Sequence, residues 1–322
     1  MKAIVQDRYG SVDVLRLQDI DRPELGDDDV LVRVLAAGVD PGVWHLMTGL
    51  PYLVRLGFGL RAPKTPVRGM DVAGRVEAVG ENVTQFEIGD EVFGTCNGSF
   101  AEYACAREDK LVFKPANLSF EQAAAVPVSA CTALHALRDS GEVRAGQKVL
   151  IVGASGGVGT FAVQLAKAFG AQVTGVCSTT KLELVRSIGA DHVIDYTRDD
   201  FSQMGQRYDL ILDIAGNRSL SLLRSALTPE GTLVIVGGEG GGPWLGGTDR
   251  QVRALILSPF VRHNLRNFIS VENKGDLLVL KELIESGKVT PVIDRTYPLR
   301  EAPDAIRYLE DGEARGKVVI KV

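Results

Sequence analysis

Lys148-Val149-Leu150-Ile151-Val152-Gly153-Ala154-Ser155-Gly156-Gly157-Val158-Gly159-Thr160 decides how this 322-residue chain is read. Val149 to Val152 is a short, wholly apolar run of the kind buried on both faces of a parallel sheet. It breaks at glycines, and helical spacing follows from Thr160 to Phe169. A strand that turns this sharply into a helix brings backbone amides up to the positive helix end, where a pyrophosphate can sit. The spacing is Gly153-x-x-Gly156-x-x-Gly159. Gly156 and Gly157 keep side chains off the phosphates, Gly159 permits close packing of helix on strand, and Gly153, Ser155 and Val158 share the turn. The same turn could serve packing alone.

The next strand, Gln172 to Val176, runs into Cys177-Ser178-Thr179-Thr180-Lys181. Sites that prefer NAD carry an acidic residue at this point for the ribose 2′-hydroxyl, and this chain has none. Ser178 can donate to a 2′-phosphate and Lys181 can neutralise it, which favours NADP(H). In the alternative, Ser178 caps the next helix and Lys181 belongs to its solvated face.

Outward from the turn, apolar strands alternate with helical stretches: Lys181 to Ile188, His192 to Ile194, Asp209 to Asp213, Ser219 to Leu227 and Thr232 to Val236. That rhythm predicts an α/β domain whose parallel sheet is covered by helices on both faces. Residues 1 to 118 instead hold short β-branched runs broken by Gly, Pro and Asp, and predict a mostly β domain. Ser119-Phe120-Glu121-Gln122 has the spacing of a capping box, and Pro127 should break or kink the helix it opens. Helical spacing returns at Leu277 to Ile284 and Ala302 to Leu309, before a strand-like end at Gly316 to Ile320. The glycine-rich stretch Gly237 to Gly247 reads as a loop.

Apolar residues make up 45% of the chain and charged ones 24%, values of an ordinary folded protein. A net charge of −5 is a poor match for a phosphate-backbone binder, so nucleic acid is not an expected partner. Cys96, Cys105, Cys131 and Cys177 include no Cys-x-x-Cys pair, which argues against a disulfide framework or a closed zinc knot. With no signal-like h-region and no run of about 18 apolar residues, the expectation is a soluble, cytoplasmic protein away from membranes.

Further motifs carry a resemblance across nearly the whole length: Asp71-Val72-Ala73-Gly74-Arg75-Val76, Gly89-Asp90-Glu91-Val92-Phe93, Gly98-Ser99-Phe100-Ala101-Glu102-Tyr103, Ala124-Ala125-Val126-Pro127, Gly189-Ala190-Asp191-His192-Val193-Ile194-Asp195-Tyr196 and Gly316-Lys317-Val318-Val319. With the glycine turn, they make the chain resemble the medium-chain dehydrogenase/reductase superfamily, and within it the zinc-free quinone oxidoreductase-like branch. The resemblance implies a GroES-like β domain from 1–118 and 259–322, a Rossmann domain at 119–258, a cofactor in the cleft and a homodimer. Where zinc enzymes of the superfamily place a ligand Cys this chain has Asp40, and where they place a ligand His it has Met70. His45, His135, His192 and His263 are not in metal-ligand spacing. No metal is expected.

Without a Lewis acid, reduction of a simple ketone loses the stabiliser of its alkoxide. Quinones and α,β-unsaturated carbonyls spread the incoming charge themselves, so the expected activity is NADPH-dependent hydride transfer to one of these. The same fold also suits an enoyl reductase for one biosynthetic enone or thioester. A reading of another class is an NADPH-binding structural or regulatory protein without turnover. The resemblance implies Tyr52 and Asp40 as catalytic residues, with Tyr52 as hydrogen-bond donor to the substrate or pocket wall. It implies Thr132, Tyr196, Ala215, Gly216, Val236, Gly237 and Gly238 at the cofactor. Lys317 either reaches the cofactor or is exposed, Asp71 is structural, and Trp44 is wall or packing.

Overall fold

A computed structural model describes residues 1–237 and 242–322. Its contacts divide the chain into two compact units: Met1–Cys131 with Glu272–Gly287 and Pro291–Val322, and Thr132–Val271 with Lys288–Thr290.

In the first unit, β1 (Lys2–Val5) and β2 (Arg16–Asp19) form an antiparallel pair. β3 (Asp29–Val39) is the spine of a larger sheet with β4 (Asp71–Val79), β5 (Glu91–Thr95), β6 (Tyr103–Arg107) and β7 (Leu111–Phe113). Alternation along β3 explains its role: Val30, Val32 and Val34 enter the core, while Arg33 between them is exposed. Helices α1 (Pro41–Thr48) and α2 (Val54–Phe58) follow β3, with Val43 and Met47 of α1 buried. The predicted capping box is present, opening α3 (Phe120–Ala124): Ser119 Oγ accepts from Gln122 N at 3.2 Å and Gln122 Oε1 from Ser119 N at 3.0 Å. Pro127 ends that segment and starts α4 (Pro127–Leu134).

The second unit holds β8 (Lys148–Val152), α5 (Gly157–Ala168), β9 (Gln172–Cys177), α6 (Leu182–Ser187), β10 (His192–Asp195), β11 (Tyr208–Asp213), α7 (Leu220–Ser225), β12 (Leu227–Ile235), α8 (Thr248–Leu257) and β13 (Asn264–Asn267). All six strands are parallel, in the order β10-β9-β8-β11-β12-β13. The order reverses between β8 and β11, the point at which doubly wound sheets bind ligands at their carboxyl ends. Leu150, Val176, Ile211, Leu233 and Ile235 form the core of this unit.

The chain then returns to the first unit through α9 (Lys274–Glu285), β14 (Ile293–Pro298), α10 (Ala302–Glu310) and β15 (Lys317–Lys321). β15 lies between β14 and β3 in the order β14-β15-β3-β4-β5-β7, with Val318 opposite Val39 and Ile320 opposite Ala37. The units cross at 131/132 and 271/272 rather than near 118 and 258. The reason is packing: α3 still lies against β3 and β4, and β13 is still a strand of the parallel sheet.

Candidate functional site

The carboxyl ends of the parallel strands are stitched into a row by shared carbonyls. Val176 O accepts from Gly153 N and Ala154 N, both at 3.1 Å. Val152 O accepts from Ile214 N at 3.0 Å and Ala215 N at 3.1 Å, and Asp213 O from Val236 N and Gly237 N, both at 3.1 Å. Sequence-predicted residues Gly153, Ala215, Val236 and Gly237 are thereby brought into one edge of the sheet. Gly216 joins them, its N–H donating to Asp213 Oδ1 at 3.2 Å. Gly238 lies outside the described residues, as do 239–241 of the predicted loop.

The turn from β8 to α5 shows why glycine is needed. Gly153 has φ +93°, in the left-handed region. A Cβ on Gly159 would stand 2.1 Å from Gly153 O, inside the backbone of the turn. A Cβ on Gly156 would meet nothing closer than 3.8 Å, so the space beside the turn is open. Gly156 caps α5 without a side-chain bond, leaving the first-turn amides at Gly157, Val158 and Gly159 to face an anion. Ser155 is buried within the turn. These residues fit a dinucleotide pyrophosphate.

At the end of β9, Ser178 stands at the start of a short turn over Thr179–Lys181 but makes no side-chain cap bond. Its hydroxyl is therefore not committed to capping. Tyr196 at the end of β10 is half exposed, and the Arg218 guanidinium lies over its ring at 5.7 Å from the centroid. Arg218 escaped the sequence reading, although it directly follows Ala215-Gly216-Asn217. Also unforeseen is the Asp213–Arg250 pair: Asp213 is wholly buried and accepts from Arg250 Nη2 at 2.5 Å. Burial lifts the Asp213 carboxyl above the usual range, and Arg250 opposes that rise. Arg250 Nη2 also reaches Arg218 O at 2.6 Å, tying α8 to the loop after β11. Thr132 is half-buried on α4.

A second constellation lies inside the first unit. Asp40 occupies the N-cap position of α1, yet its side chain does no capping. Its Oδ1 accepts from Lys317 Nζ at 2.5 Å and from Ser129 Oγ at 2.7 Å. Lys317 Nζ also reaches Asp71 Oδ2 at 3.4 Å and Ser129 Oγ at 3.1 Å. Asp71 Oδ1 accepts from Val128 N at 3.0 Å. The side chains of Lys317, Asp40 and Asp71 are 1%, 3% and 0% exposed, so the charges are compensated only by one another. Local folding sets this meeting: β15 runs antiparallel to β3, which carries Lys317 to the end of β3 where Asp40 begins α1. Gly38 leaves room for Asp71, since a Cβ there would stand 2.6 Å from Asp71 Oδ2.

Burial raises the Asp71 carboxyl well above its ordinary range, and the neighbouring Asp40 charge raises it further. For Asp40 burial pushes the same way, but the Lys317 charge and the bonds from Asp71, Lys317 and Ser129 outweigh it and hold Asp40 low. Lys317 is held above the ordinary lysine value: burial disfavours its charge, and the two carboxylates more than restore it. The two carboxyls are thereby set apart, Asp71 holding its proton to higher pH than Asp40, whose charge Lys317 favours. Lys317 thus corrects one expectation. It is neither exposed nor available to a cofactor, because its three N–H donors are taken by Asp40, Asp71 and Ser129.

Tyr52 stands in a different setting, 37% exposed on the segment between α1 and α2. The Arg55 guanidinium lies 4.7 Å from its ring centroid and 4.5 Å from that of Tyr9. Trp44 packs against the core of the first unit.

Residues 26–116 match the family model described as an alcohol dehydrogenase GroES-like domain, and residues 188–320 that of a zinc-binding dehydrogenase. The chain is 36% identical to 2-methylene-furan-3-one reductase of Solanum lycopersicum over 337 residues, covering 99% of this chain and 79% of that one. It is 36% identical to NADPH-dependent alkenal/one oxidoreductase, chloroplastic, of Arabidopsis thaliana, with the same coverage of 99% and 79%. The quinone oxidoreductase structure from Coxiella burnetii superposes with a TM-score of 0.87 at 31% identity, covering 100% of this chain and 99% of that one.

The second family description raises zinc, and the residues do not fit it. Asp40 and Asp71 already hold a fixed ammonium cation between them, and Met70 offers only a thioether. Among the described residues no group of three His, Cys, Asp or Glu side chains is arranged to hold a metal ion.

Proposed function

Because the chain belongs to the medium-chain dehydrogenase/reductase superfamily, in its quinone and alkenal/one oxidoreductase-like branch, we propose that it reduces a quinone or an α,β-unsaturated carbonyl with NADPH. One observation carries the reading: a glycine turn with open space beside Gly156, at the switch point of a 3-2-1-4-5-6 parallel sheet whose second strand is followed by Ser178 and not by a carboxylate.

NADPH supplies the hydride. The first-turn amides of α5 hold its pyrophosphate, while Ser178 and Lys181 take the 2′-phosphate, with Arg218 adding a cation over Tyr196. Ala215, Gly216, Val236 and Gly237 supply the backbone edge against ribose and nicotinamide, and Thr132 adds a hydroxyl. Tyr52 donates its phenol proton to the acceptor oxygen in a hydrogen bond, drawing off the charge that hydride arrival creates. Asp40 acts without touching substrate: with Lys317 it anchors Ser129 and the start of α1. An acceptor that delocalises its own charge suits a site with no Lewis acid.

The proposed assembly is a homodimer. β13 is an edge of the parallel sheet, and Val252, Leu255 and Ile256 of α8 with Phe260 are exposed in the same unit. Light scattering on the eluting protein should give twice the 34.6 kDa chain mass. No helix among the described residues is long and apolar enough to cross a membrane, and the scattered cysteines suit a reducing compartment such as the cytoplasm.

Initial-rate oxidation of NADPH and NADH, with 9,10-phenanthrenequinone, a benzoquinone and a short enone offered in parallel, tests the activity. NADPH-selective turnover of a quinone or enone is expected. Tight NADPH binding without turnover of any acceptor would point instead to a cofactor-binding protein of regulatory type.

A further inference from the structure

Within the first unit, α1, the loop before β4 and the turn after β5 enclose a cavity of about 190 Å³, room for roughly six waters. One wall is Arg68, only 4% exposed. Its backbone is fixed on both sides, N–H to Ile4 O at 3.3 Å and C=O from Phe100 N at 2.8 Å. The guanidinium is poorly provided for. Nη1 reaches Leu46 O at a long 3.3 Å, and the buried Nε–H has no partner.

A buried arginine is ordinarily paired with a carboxylate, since an uncompensated charge away from water is costly. Arg68 has no ion pair among the described residues, and no Asp or Glu lines the cavity. Burial brings its pKa down to about 10, and the nearby Tyr9 phenol opposes that fall. The remaining polar lining is of matching character: Lys64, exposed at the rim, with Thr65 and Asn97. Lys64 Nζ donates to Gly57 O at 3.1 Å, so the cation whose counter-charge is missing is Arg68, buried in the lining with an unpartnered Nε–H.

We propose that this cavity binds a small oxyanion, a carboxylate or phosphate group, with Arg68 as its anchoring residue. The group is either a free anion or the acidic end of a larger molecule. The proposal is independent of the reductase reading, because it concerns binding and not turnover.

The test is calorimetric titration of the full chain with sodium acetate, sodium butyrate and inorganic phosphate, at constant ionic strength set with chloride. Saturable binding of at least one probe to the wild type is expected, weakened at least tenfold in Arg68→Gln and unchanged in Arg75→Gln, an exposed arginine paired with Glu91. Tighter binding of butyrate than of acetate would identify the acidic end of a larger molecule, and equal or weaker binding a free anion. Asn97→Asp is the second variant: a carboxylate built into the lining should pair with Arg68, raise the melting temperature and abolish anion binding. No saturation with any probe would overturn the proposal, as would wild-type affinity in both Arg68→Gln and Asn97→Asp.

Discussion

Asp71 behaves in the opposite sense to an ordinary stabilising carboxylate. Its folded-state pKa is raised, by burial first and the Asp40 charge second, so folding favours its protonated form. That contribution is complete below the unfolded carboxylate value of about 3.9 and is lost as pH rises toward and through the folded value. Asp71→Asn keeps the shape and removes the ionisation. Its stability relative to wild type should therefore rise from pH 4 to pH 7, measured as the urea midpoint at each pH, and a flat difference would contradict the raised pKa. Lys317→Met does the reverse by leaving Asp40 buried and unpaired, and should cost about 3–5 kcal/mol in the same assay. At the cofactor end, Lys181→Ala should weaken NADPH use by roughly 10- to 100-fold and spare NADH, the effect of one lost charged hydrogen bond. Equal losses with both cofactors would move the 2′-phosphate elsewhere. The sequence shows Ser178 and Lys181 because they follow one strand directly. It does not show that Lys317 meets Asp40 and Asp71, since those pairs are 277 and 246 residues apart and depend on how β15 registers on β3.

The glycine turn sets apart two substitutions that look alike in the sequence. Gly159→Ala places a methyl 2.1 Å from a backbone oxygen, so the turn itself must move. It should lower stability by about 1–3 kcal/mol and weaken NADPH binding with it. Gly156→Ala meets no atom closer than 3.8 Å, so its melting temperature should hold while NADPH affinity falls, the methyl intruding only where phosphate would lie. Thermal melts with and without NADPH separate the two; a stability loss in Gly156→Ala would mean the open space is not the phosphate site. Strands with strong apolar runs, such as β8 and β11, are legible because both faces are buried. β13 is not: Asn264-Leu265-Arg266-Asn267 has one buried residue and lies at a sheet edge, where pairing and not periodicity makes the strand. β14 is obscured likewise, with Asp294 and Arg295 inside it and no buried position.

Across the whole molecule, the two units are built differently. The second is essentially one continuous segment, 132–271, with only Lys288–Thr290 added; Gln164 clasps Thr290 through both amide atoms, at 3.0 and 2.8 Å. The first needs three segments, and its sheet is incomplete without β15 between β14 and β3. Removing residues 317–322 should therefore leave the parallel-sheet unit folded and the β unit open, seen as protease cleavage within 1–131, 272–287 and 291–316 that spares 132–271. The order of synthesis has a consequence for the buried triad. A ribosome delivers Asp40 and Asp71 long before Lys317, so the nascent β sheet must wait, with two carboxylates facing water, while the parallel-sheet unit is made and can close first. Lys317 acts as a late key: sealing two acids into the core becomes affordable only once the last strand brings its ammonium.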